Sequence, residues 1–154
     1  MARIELLDEV QVRAVNAYSK LTLPESPLLL LEFHGTEAGV AEQVERFRAI
    51  ADECGATGFQ SAAQAEDRSR LWQARHDAYW AALALRPGWK GQSSDVCVPI
   101  SRLAECIEAT KADIEATGLI APIVGHVGDG NFHVIFSIDP TSPDELAEVA
   151  AVNA

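Results

Sequence analysis

Short apolar runs alternate with longer amphipathic stretches along the chain, and this alternation predicts a mixture of strands and helices. The predicted strands are residues 3–7, 28–33, 58–62 and 94–98, followed by two strands within residues 120–138. The predicted helices are residues 10–20, 37–54, 66–85 and 101–117, with a further helix that begins after Ser142. This pattern predicts one α+β domain, and it is compatible with a ferredoxin-like arrangement without singling it out.

For two of these elements, the sequence also predicts burial or shape. Four consecutive leucines open the strand of residues 28–33, and an unbroken apolar run is typical of a strand that is buried on both faces. The helix of residues 66–85 repeats an apolar residue about once per turn and ends at Pro87-Gly88. Its apolar face comprises Leu71, Ala74, Ala78, Ala82 and Leu85. We therefore expect one long, continuous helix.

Composition and charge narrow the class of protein. The chain has 154 residues, which is enough for one ordinary domain with a single core. Its formal net charge of −11 argues against unspecific binding to nucleic acid and against docking on an anionic membrane surface. The longest apolar run, residues 78–85, is too short to cross a bilayer. Cys54, Cys97 and Cys106 form no CxxC pair and lie in apolar patterns, so we expect buried thiols in a reducing compartment.

The stretch 125–133, with the sequence GHVGDGNFH, combines a glycine-rich turn with two histidines. Asp-Gly favours a two-residue hairpin loop, because both loop positions need positive φ. With Asp129-Gly130 as that loop, His126 lies opposite His133, and both side chains point to the same face. Two imidazoles in this arrangement could bind one metal ion. The alternative is a pair of hydrogen-bonded histidines beside an ordinary turn.

The strand after this turn alternates in polarity. Its apolar face comprises Phe132, Val134, Phe136 and Ile138. Asn131 and His133 share the opposite face. We therefore expect both histidines on the side of the hairpin that faces away from Phe132.

The histidine string resembles the signature of the C-terminal domain of FAD-linked oxidases. This family contains D-lactate dehydrogenase, D-2-hydroxyglutarate dehydrogenase and the glycolate oxidase flavin subunit. Three further stretches resemble the family in the same order: LLEFHG at 30–35, LWQARH at 71–76 and SDVCVP at 94–99. They run through nearly the whole chain, and the histidine string is the specific one. The resemblance implies a mostly antiparallel sheet with helices packed on it.

The resemblance also implies a metal site. In family members that hold a metal, the two histidines of the string are ligands, which implies His126 and His133 as ligands of zinc, iron or manganese. The family's third ligand is a glutamate, and it lies with a histidine thought to act as base in a Glu-His-Gly stretch. No such stretch follows His133. No catalytic residue is therefore assigned, and we expect metal binding to be weak.

Three residues are candidates for substrate binding. The family places a carboxylate-binding arginine at the position of Arg75, and a guanidinium fork can hold a carboxylate with two hydrogen bonds. Lys90 could supply a second positive charge. Asn131 shares a face with His133 and could contact the substrate as well.

The resemblance implies that residues 1–154 are the substrate-side domain of an FAD-dependent D-2-hydroxyacid dehydrogenase. The flavin-binding domain, which would bind most of the FAD, and the distal C-terminus would be absent. Hydride would pass from the α-carbon of a small 2-hydroxy acid to FAD, and an electron acceptor would reoxidise the flavin. The isolated chain is then expected to be inactive.

We expect the parent enzyme to be cytoplasmic, or peripheral to the inner membrane without direct insertion. A second hypothesis belongs to another class of protein. The chain could be a stand-alone ferredoxin-like module that binds a metal or a small molecule without redox activity.

Overall fold

The computed structural model describes residues 2–62 and 64–154. The strands among these residues are β1 (Arg3–Leu7), β2 (Leu28–Glu32), β3 (Lys90–Ser93), β4 (Val96–Cys97), β5 (Ile123–His126) and β6 (Asn131–Ile138). The helices are α1 (Glu9–Ser19), α2 (Glu37–Glu53), α3 (Ala65–His76), α4 (Ala78–Ala84), α5 (Ile100–Thr117) and α6 (Pro143–Val152).

The strands form an antiparallel sheet in the order β2-β1-β5-β6-β3, and β4 also pairs with β6. β3 and β4 keep one register along β6, since Ser93 lies opposite Ile135 and Val96 lies opposite Phe132. They are therefore two halves of one edge strand that is interrupted at residues 94–95. The predicted α+β class with an antiparallel sheet is confirmed.

Helices cover both faces of the sheet. One face, named here the histidine face, carries Glu5, Leu7, Val124, His126, Asn131, His133 and Ile135. Its core includes Val12 of α1 and Ala78 of α4. The other, the phenylalanine face, carries Ile123, Phe132, Val134, Phe136 and Ile138. It packs against Leu103 and Ile114 of α5 and against Val149 of α6. The predicted alternation along β6 is confirmed.

Local sequence signals set several helix ends. Thr36 accepts the amide proton of Gly39 at the start of α2, and Ser142 accepts that of Glu145 at the start of α6. Gly118 ends α5 in the left-handed conformation, with φ of 72°. Although α2 forms over the predicted range, none of its residues is buried.

The predicted continuous helix over residues 66–85 is wrong, because the structure divides it at Asp77 into α3 and α4. Gln11 of α1 is fully buried and donates from Nε2 to the carbonyl oxygen of Ala78 at 2.9 Å. Asp77 accepts a hydrogen bond of 2.5 Å from the Ser19 hydroxyl. Both contacts with α1 fall where α3 ends and α4 begins, so packing against α1 accompanies the division of the predicted helix.

Three strand predictions need correction. β2 is not buried on both faces, because it lies at the sheet edge beside β1, and Leu29 is 46% exposed. Residues 58–62 form no strand, and Gly58 has a φ of 70°, which interrupts extended backbone. The strand predicted at residues 94–98 is the shorter β4. It is preceded by β3, whose polar sequence KGQS did not indicate a strand.

The expectation of buried thiols is also wrong. Cys54 and Cys97 are exposed, Cys106 is partly buried, and all three are free. Cys54 follows α2, which buries none of its residues, and Cys97 lies on the edge strand β4. An apolar pattern therefore did not report burial at these positions, because α2 has no fully buried face and Cys97 points away from the face on which its neighbour Val96 packs against the core.

Candidate functional site

The histidine hairpin has a longer loop than predicted. Val124 pairs with His133, so β5 ends at His126 and four residues, 127–130, connect the strands. The predicted two-residue loop is wrong, because a turn of 3₁₀ helix precedes Gly130, which has a φ of 75°. The register differs from the predicted one by two residues. A slip of two residues leaves each side chain on the same face of the sheet.

His126 and His133 therefore lie on the histidine face, away from Phe132, as predicted. They are diagonal neighbours, with ring centres 6.2 Å apart and ring planes at 88°. Two imidazoles that share an ion at about 2.1 Å from each nitrogen have ring centres roughly 5–6 Å apart. The side chains are 46% and 28% exposed, so a ligand can reach them from solvent.

A buried glutamate from β1 holds the first histidine. Leu6 pairs with Gly125, and continuing this register places Glu5 opposite His126. The Nδ1 atom of His126 lies 2.7 Å from Oε1 of Glu5, whose side chain is 1% exposed. Because a carboxylate accepts, the imidazole donates from Nδ1 and keeps its lone pair on Nε2.

The interruption of the edge strand orients the second histidine. The hydroxyl of Ser94 accepts the amide proton of Val134 at 2.8 Å, where a regular antiparallel ladder would use the Ser94 carbonyl. That carbonyl instead accepts from Nδ1 of His133 at 2.9 Å. Since a carbonyl only accepts, His133 also carries its proton on Nδ1 and its lone pair on Nε2.

Arg75 reaches the same place from α3, of which it is the penultimate residue. Its Nε donates to Oε2 of Glu5 at 2.8 Å, and its Nη2 lies 3.3 Å from Nε2 of His126. Arg3 of β1 stacks on the ring of Trp72 at 3.9 Å, which helps to hold α3 over this strand. Arg75 remains 22% exposed. The Glu5 carboxylate therefore links a solvent-accessible arginine to His126.

Asn131 lies opposite His126 on the histidine face. Its Nδ2 donates to Oδ1 of Asp95 at 2.8 Å and to the carbonyl of Val96 at 3.0 Å. Both partners are acceptors, so they fix the orientation of the amide group. A ligand would therefore meet Asn131 as an acceptor, through Oδ1.

The structure does not bring Lys90 to these residues. Lys90 lies opposite Ile138, at the far end of β6 and on the phenylalanine face. Five residue steps along β6 separate Ile138 from His133, which is about 17 Å at the usual rise per residue. The predicted site residues that do come together are Arg75, His126, Asn131 and His133.

Sequence reasoning missed Glu5 and Ser94. In β1, Glu5 shares a face with the core residue Leu7, and a charged residue at a core position requires partners. That alternation was a usable signal. Ser94 offers no such signal, because the use of its hydroxyl in place of its carbonyl depends on His133, which lies 39 residues later.

Comparison with known proteins agrees with the motifs. Residues 1–154 match the family model described as FAD linked oxidases, C-terminal domain. The chain is 50% identical over 149 residues to "Probable D-lactate dehydrogenase, mitochondrial" of Danio rerio, covering 97% of this chain and 30% of that protein. It is 40% identical over 153 residues to "D-lactate dehydrogenase (cytochrome), mitochondrial" of Arabidopsis thaliana, covering 99% and 27%. It is 30% identical over 150 residues to "Glycolate oxidase subunit GlcD" of Bacillus subtilis, covering 96% and 32%.

The chain thus spans about a third or less of the length of each of these relatives. The family match covers every element described above, including the hairpin of the two histidines and the helix of Arg75. The chain belongs to the FAD-linked oxidase family, whose C-terminal domain it matches from end to end.

Proposed function

We propose that this chain is the substrate-side domain of an FAD-dependent D-2-hydroxyacid dehydrogenase that acts on D-lactate or a similar small acid. The proposal is carried by the convergence of Arg75, Asn131, His126 and His133 at one open end of the histidine face. The names of the relatives support the same substrate class. FAD would be bound mainly by a flavin-binding domain that completes the parent enzyme.

Arg75 would bind the carboxylate of the substrate. Its contacts with Glu5 and His126 use Nε and Nη2, so Nη1 is the donor that can face a ligand. A guanidinium that is already oriented by a buried carboxylate loses little conformational freedom when it binds a ligand. Asn131 would complement it, because its Oδ1 can accept the hydroxyl proton of a 2-hydroxy acid.

His126 and His133 would hold a divalent ion through their Nε2 atoms. Their donor chemistry fits this role, because a metal-bound histidine usually donates its other ring N–H to a carboxylate or a carbonyl. Within residues 2–62 and 64–154, no group of three or more His, Cys, Asp or Glu side chains is placed to hold an ion. We therefore expect weak binding of zinc, iron or manganese. When bound, the ion would act as a Lewis acid toward the substrate oxygens.

The oxidation removes a hydride from the α-carbon and a proton from the hydroxyl, and it leaves a 2-keto acid. FAD supplies the hydride acceptor when it is bound, and an external electron acceptor reoxidises it. The residues of this chain contribute binding and orientation. Arg75 fixes the carboxylate, and Asn131 and the two histidines face the hydroxyl. The base that takes the hydroxyl proton is assigned outside this chain.

The parent enzyme tests the proposal. D-lactate oxidation with a dye acceptor should be compared in the wild type, R75A and R102A, the last of which removes an exposed arginine of α5. We expect R75A to lower kcat/KM by roughly 10- to 150-fold, as the loss of a charged hydrogen bond worth about 1.5–3 kcal/mol implies. R102A should match the wild type. Unchanged kinetics in R75A would remove Arg75 from the site, and a wild-type parent without D-2-hydroxyacid oxidation would overturn the function.

Experiments on the isolated chain distinguish this proposal from the second hypothesis, the stand-alone binding module. The comparisons do not support that module. We expect the chain to retain no flavin and to leave D-lactate unoxidised. A stoichiometric yellow flavin in the purified chain would contradict the assignment of FAD to another domain.

For the location of the parent enzyme, we propose the cytoplasm, with the mitochondrion as the alternative raised by the names of two relatives. Among the helices of the described residues, none has the length and apolar character needed to cross a membrane. Fractionation of cells that express the tagged parent would decide between the two compartments.

A further inference from the structure

We infer that Glu5 is a positioning residue of this site, and that its carboxylate fixes both the tautomer of His126 and the place of the Arg75 guanidinium. The inference rests on the proposed function, in which His126 binds a metal and Arg75 binds the substrate carboxylate. Glu5 itself lies behind both residues and is 1% exposed, so it acts on a ligand through them.

The geometry is a closed triangle of three side chains. Oε1 of Glu5 lies 2.7 Å from Nδ1 of His126, and Oε2 lies 2.8 Å from Nε of Arg75. The third side joins Nη2 of Arg75 to Nε2 of His126 at 3.3 Å. Each carboxylate oxygen therefore has its own partner.

This arrangement determines where the imidazole proton lies. Arginine can only donate, so Nε2 of His126 accepts and the ring proton is on Nδ1. A proton on Nδ1 leaves the lone pair on Nε2, the atom through which a metal would bind once Arg75 releases it. The same carboxylate stops the guanidinium from turning away, because it holds Nε.

The position of Glu5 in the sheet makes it a rigid support. β1 pairs with β2 on one side and with β5 on the other. The neighbour of Glu5 on its own face, Leu7, is fully buried in the core. The carboxylate therefore has little freedom to follow His126 or Arg75 if either moves.

Replacement of Glu5 by glutamine gives a sharp test, because the two side chains have nearly the same shape. An amide has one acceptor oxygen, and its NH₂ group would oppose a donor on either His126 or Arg75. E5Q must therefore lose one of the two contacts or, at His126, reverse its direction by moving the ring proton to Nε2. Glu9 provides the control, since it too is an ion-paired glutamate: it lies 2.7 Å from Lys111 and is 32% exposed, against 1% for Glu5.

The first measurement uses the metal-free chain. Long-range proton–nitrogen NMR spectra report which imidazole nitrogen carries the proton, at a pH where the rings are neutral. We expect the Nδ1–H form of His126 in the wild type and in E9Q. In E5Q we expect either a shift toward the Nε2–H form or loss of the protected Nε–H signal of Arg75. Wild-type spectra for both groups in folded E5Q would overturn the inference.

The second measurement is titration of the same three proteins with Co²⁺, followed by its absorption spectrum. We expect E5Q to bind Co²⁺ about 10- to 100-fold more weakly than the wild type, as losses of such supporting carboxylates usually do. E9Q should match the wild type. Equal affinity in wild type and E5Q would count against Glu5.

These outcomes separate the inference from the proposed function. If the wild-type chain binds no Co²⁺, the metal part of the proposed function fails, and the tautomer measurement still decides the role of Glu5. If circular dichroism shows that E5Q does not fold, the tautomer of His126 in the wild type alone decides. A His126 proton on Nδ1 supports the inference, and a proton on Nε2 overturns it.

Discussion

Nη2 of Arg75 and Nε2 of His126 lie 3.3 Å apart, so the arginine donates to the lone pair through which the histidine would bind a metal. The two interactions exclude each other, because one lone pair serves one partner at a time. A bound ion would have to displace Nη2, while Nε of Arg75 could keep its contact with Glu5. Metal binding and the present position of Arg75 therefore compete.

This competition predicts that R75A strengthens metal binding by the isolated chain. The substitution frees Nε2 of His126, removes a nearby positive charge and leaves Glu5 to attract the ion. The hydrogen bond and the like charge together oppose the ion by about 1–2 kcal/mol in a partly exposed site, so we expect Co²⁺ affinity to rise roughly 5- to 30-fold. R70A, which removes an exposed arginine of the same helix, is the control. Weaker Co²⁺ binding in R75A would show that Arg75 does not compete for this lone pair.

Gly130 is predicted to be intolerant of any side chain. Its φ is 75°, and a Cβ atom there would collide with the backbone carbonyl oxygen of Val98, the residue that follows β4. We expect G130A to destabilise the chain by about 3 kcal/mol or more, of which about 1–2 kcal/mol reflects the left-handed conformation. Urea denaturation measures the difference.

Gly118 provides the matched control for this substitution. Its φ is 72°, and a Cβ atom added there would have no neighbour within 4 Å, so G118A should show the conformational cost alone. Equal losses of stability in G130A and G118A would exclude the collision with Val98 as a cause.

Arg86, which follows α4, forms a bidentate ion pair with Glu145 of α6. Their hydrogen bonds are 3.0 and 3.1 Å long, and Arg86 also donates to the carbonyl of Ser137 at 2.8 Å. The hydrogen bonds with Arg86 lower the pKa of the Glu145 carboxyl. We expect E145Q to lower Tm by several degrees, because the substitution breaks a pair in which each side chain is less than one quarter exposed.

The pair Arg102–Glu105 tests whether bidentate geometry or burial determines how much an ion pair contributes to stability. It also has two hydrogen bonds, of 2.7 and 2.9 Å, but its side chains are 65% and 68% exposed. Exposed ion pairs contribute little to stability. We therefore expect E105Q to leave Tm almost unchanged, and a loss as large as that of E145Q would contradict the role assigned to burial.

Asp8 is predicted to make stability depend on pH. It caps α1 by accepting the amide proton of Gln11 at 2.7 Å, and burial raises its pKa from 3.8 to about 6. The folded chain thus binds the Asp8 proton more tightly than the unfolded chain. The resulting stabilisation is complete below about pH 4 and is lost as the pH rises through about 6, by up to about 3 kcal/mol.

The free energy of unfolding should therefore fall between about pH 4 and about pH 6.5, as measured by urea denaturation at several pH values. D8S keeps an oxygen that can cap α1 and has no ionisable group, so it should abolish this slope. A slope that persists in D8S would assign the effect to another residue.

Several features of the fold could be predicted from the local sequence pattern, because their causes lie in neighbouring residues. The apolar period predicted α5 to within one residue at its start, and Gly118 ends the helix in the left-handed conformation. The strand at Arg3–Leu7 likewise matches its prediction. The shared face of His126 and His133 also followed from the sequence, because alternation along a strand depends only on parity and a slip of two residues preserves it.

The site itself depends on contacts between residues that are distant in the chain. Glu5 meets His126 across 121 positions, and Gln11 donates to the carbonyl of Ala78, at the start of α4, across 67 positions. Hydrophobic period reports which face of an element is apolar, and it carries no information about which polar side chain arrives from another strand or helix. The edge position of β2 and the meeting of Arg75 with both Glu5 and His126 were therefore set by packing. Each of them depends on the spatial order of the strands, which neighbouring residues in the sequence do not determine.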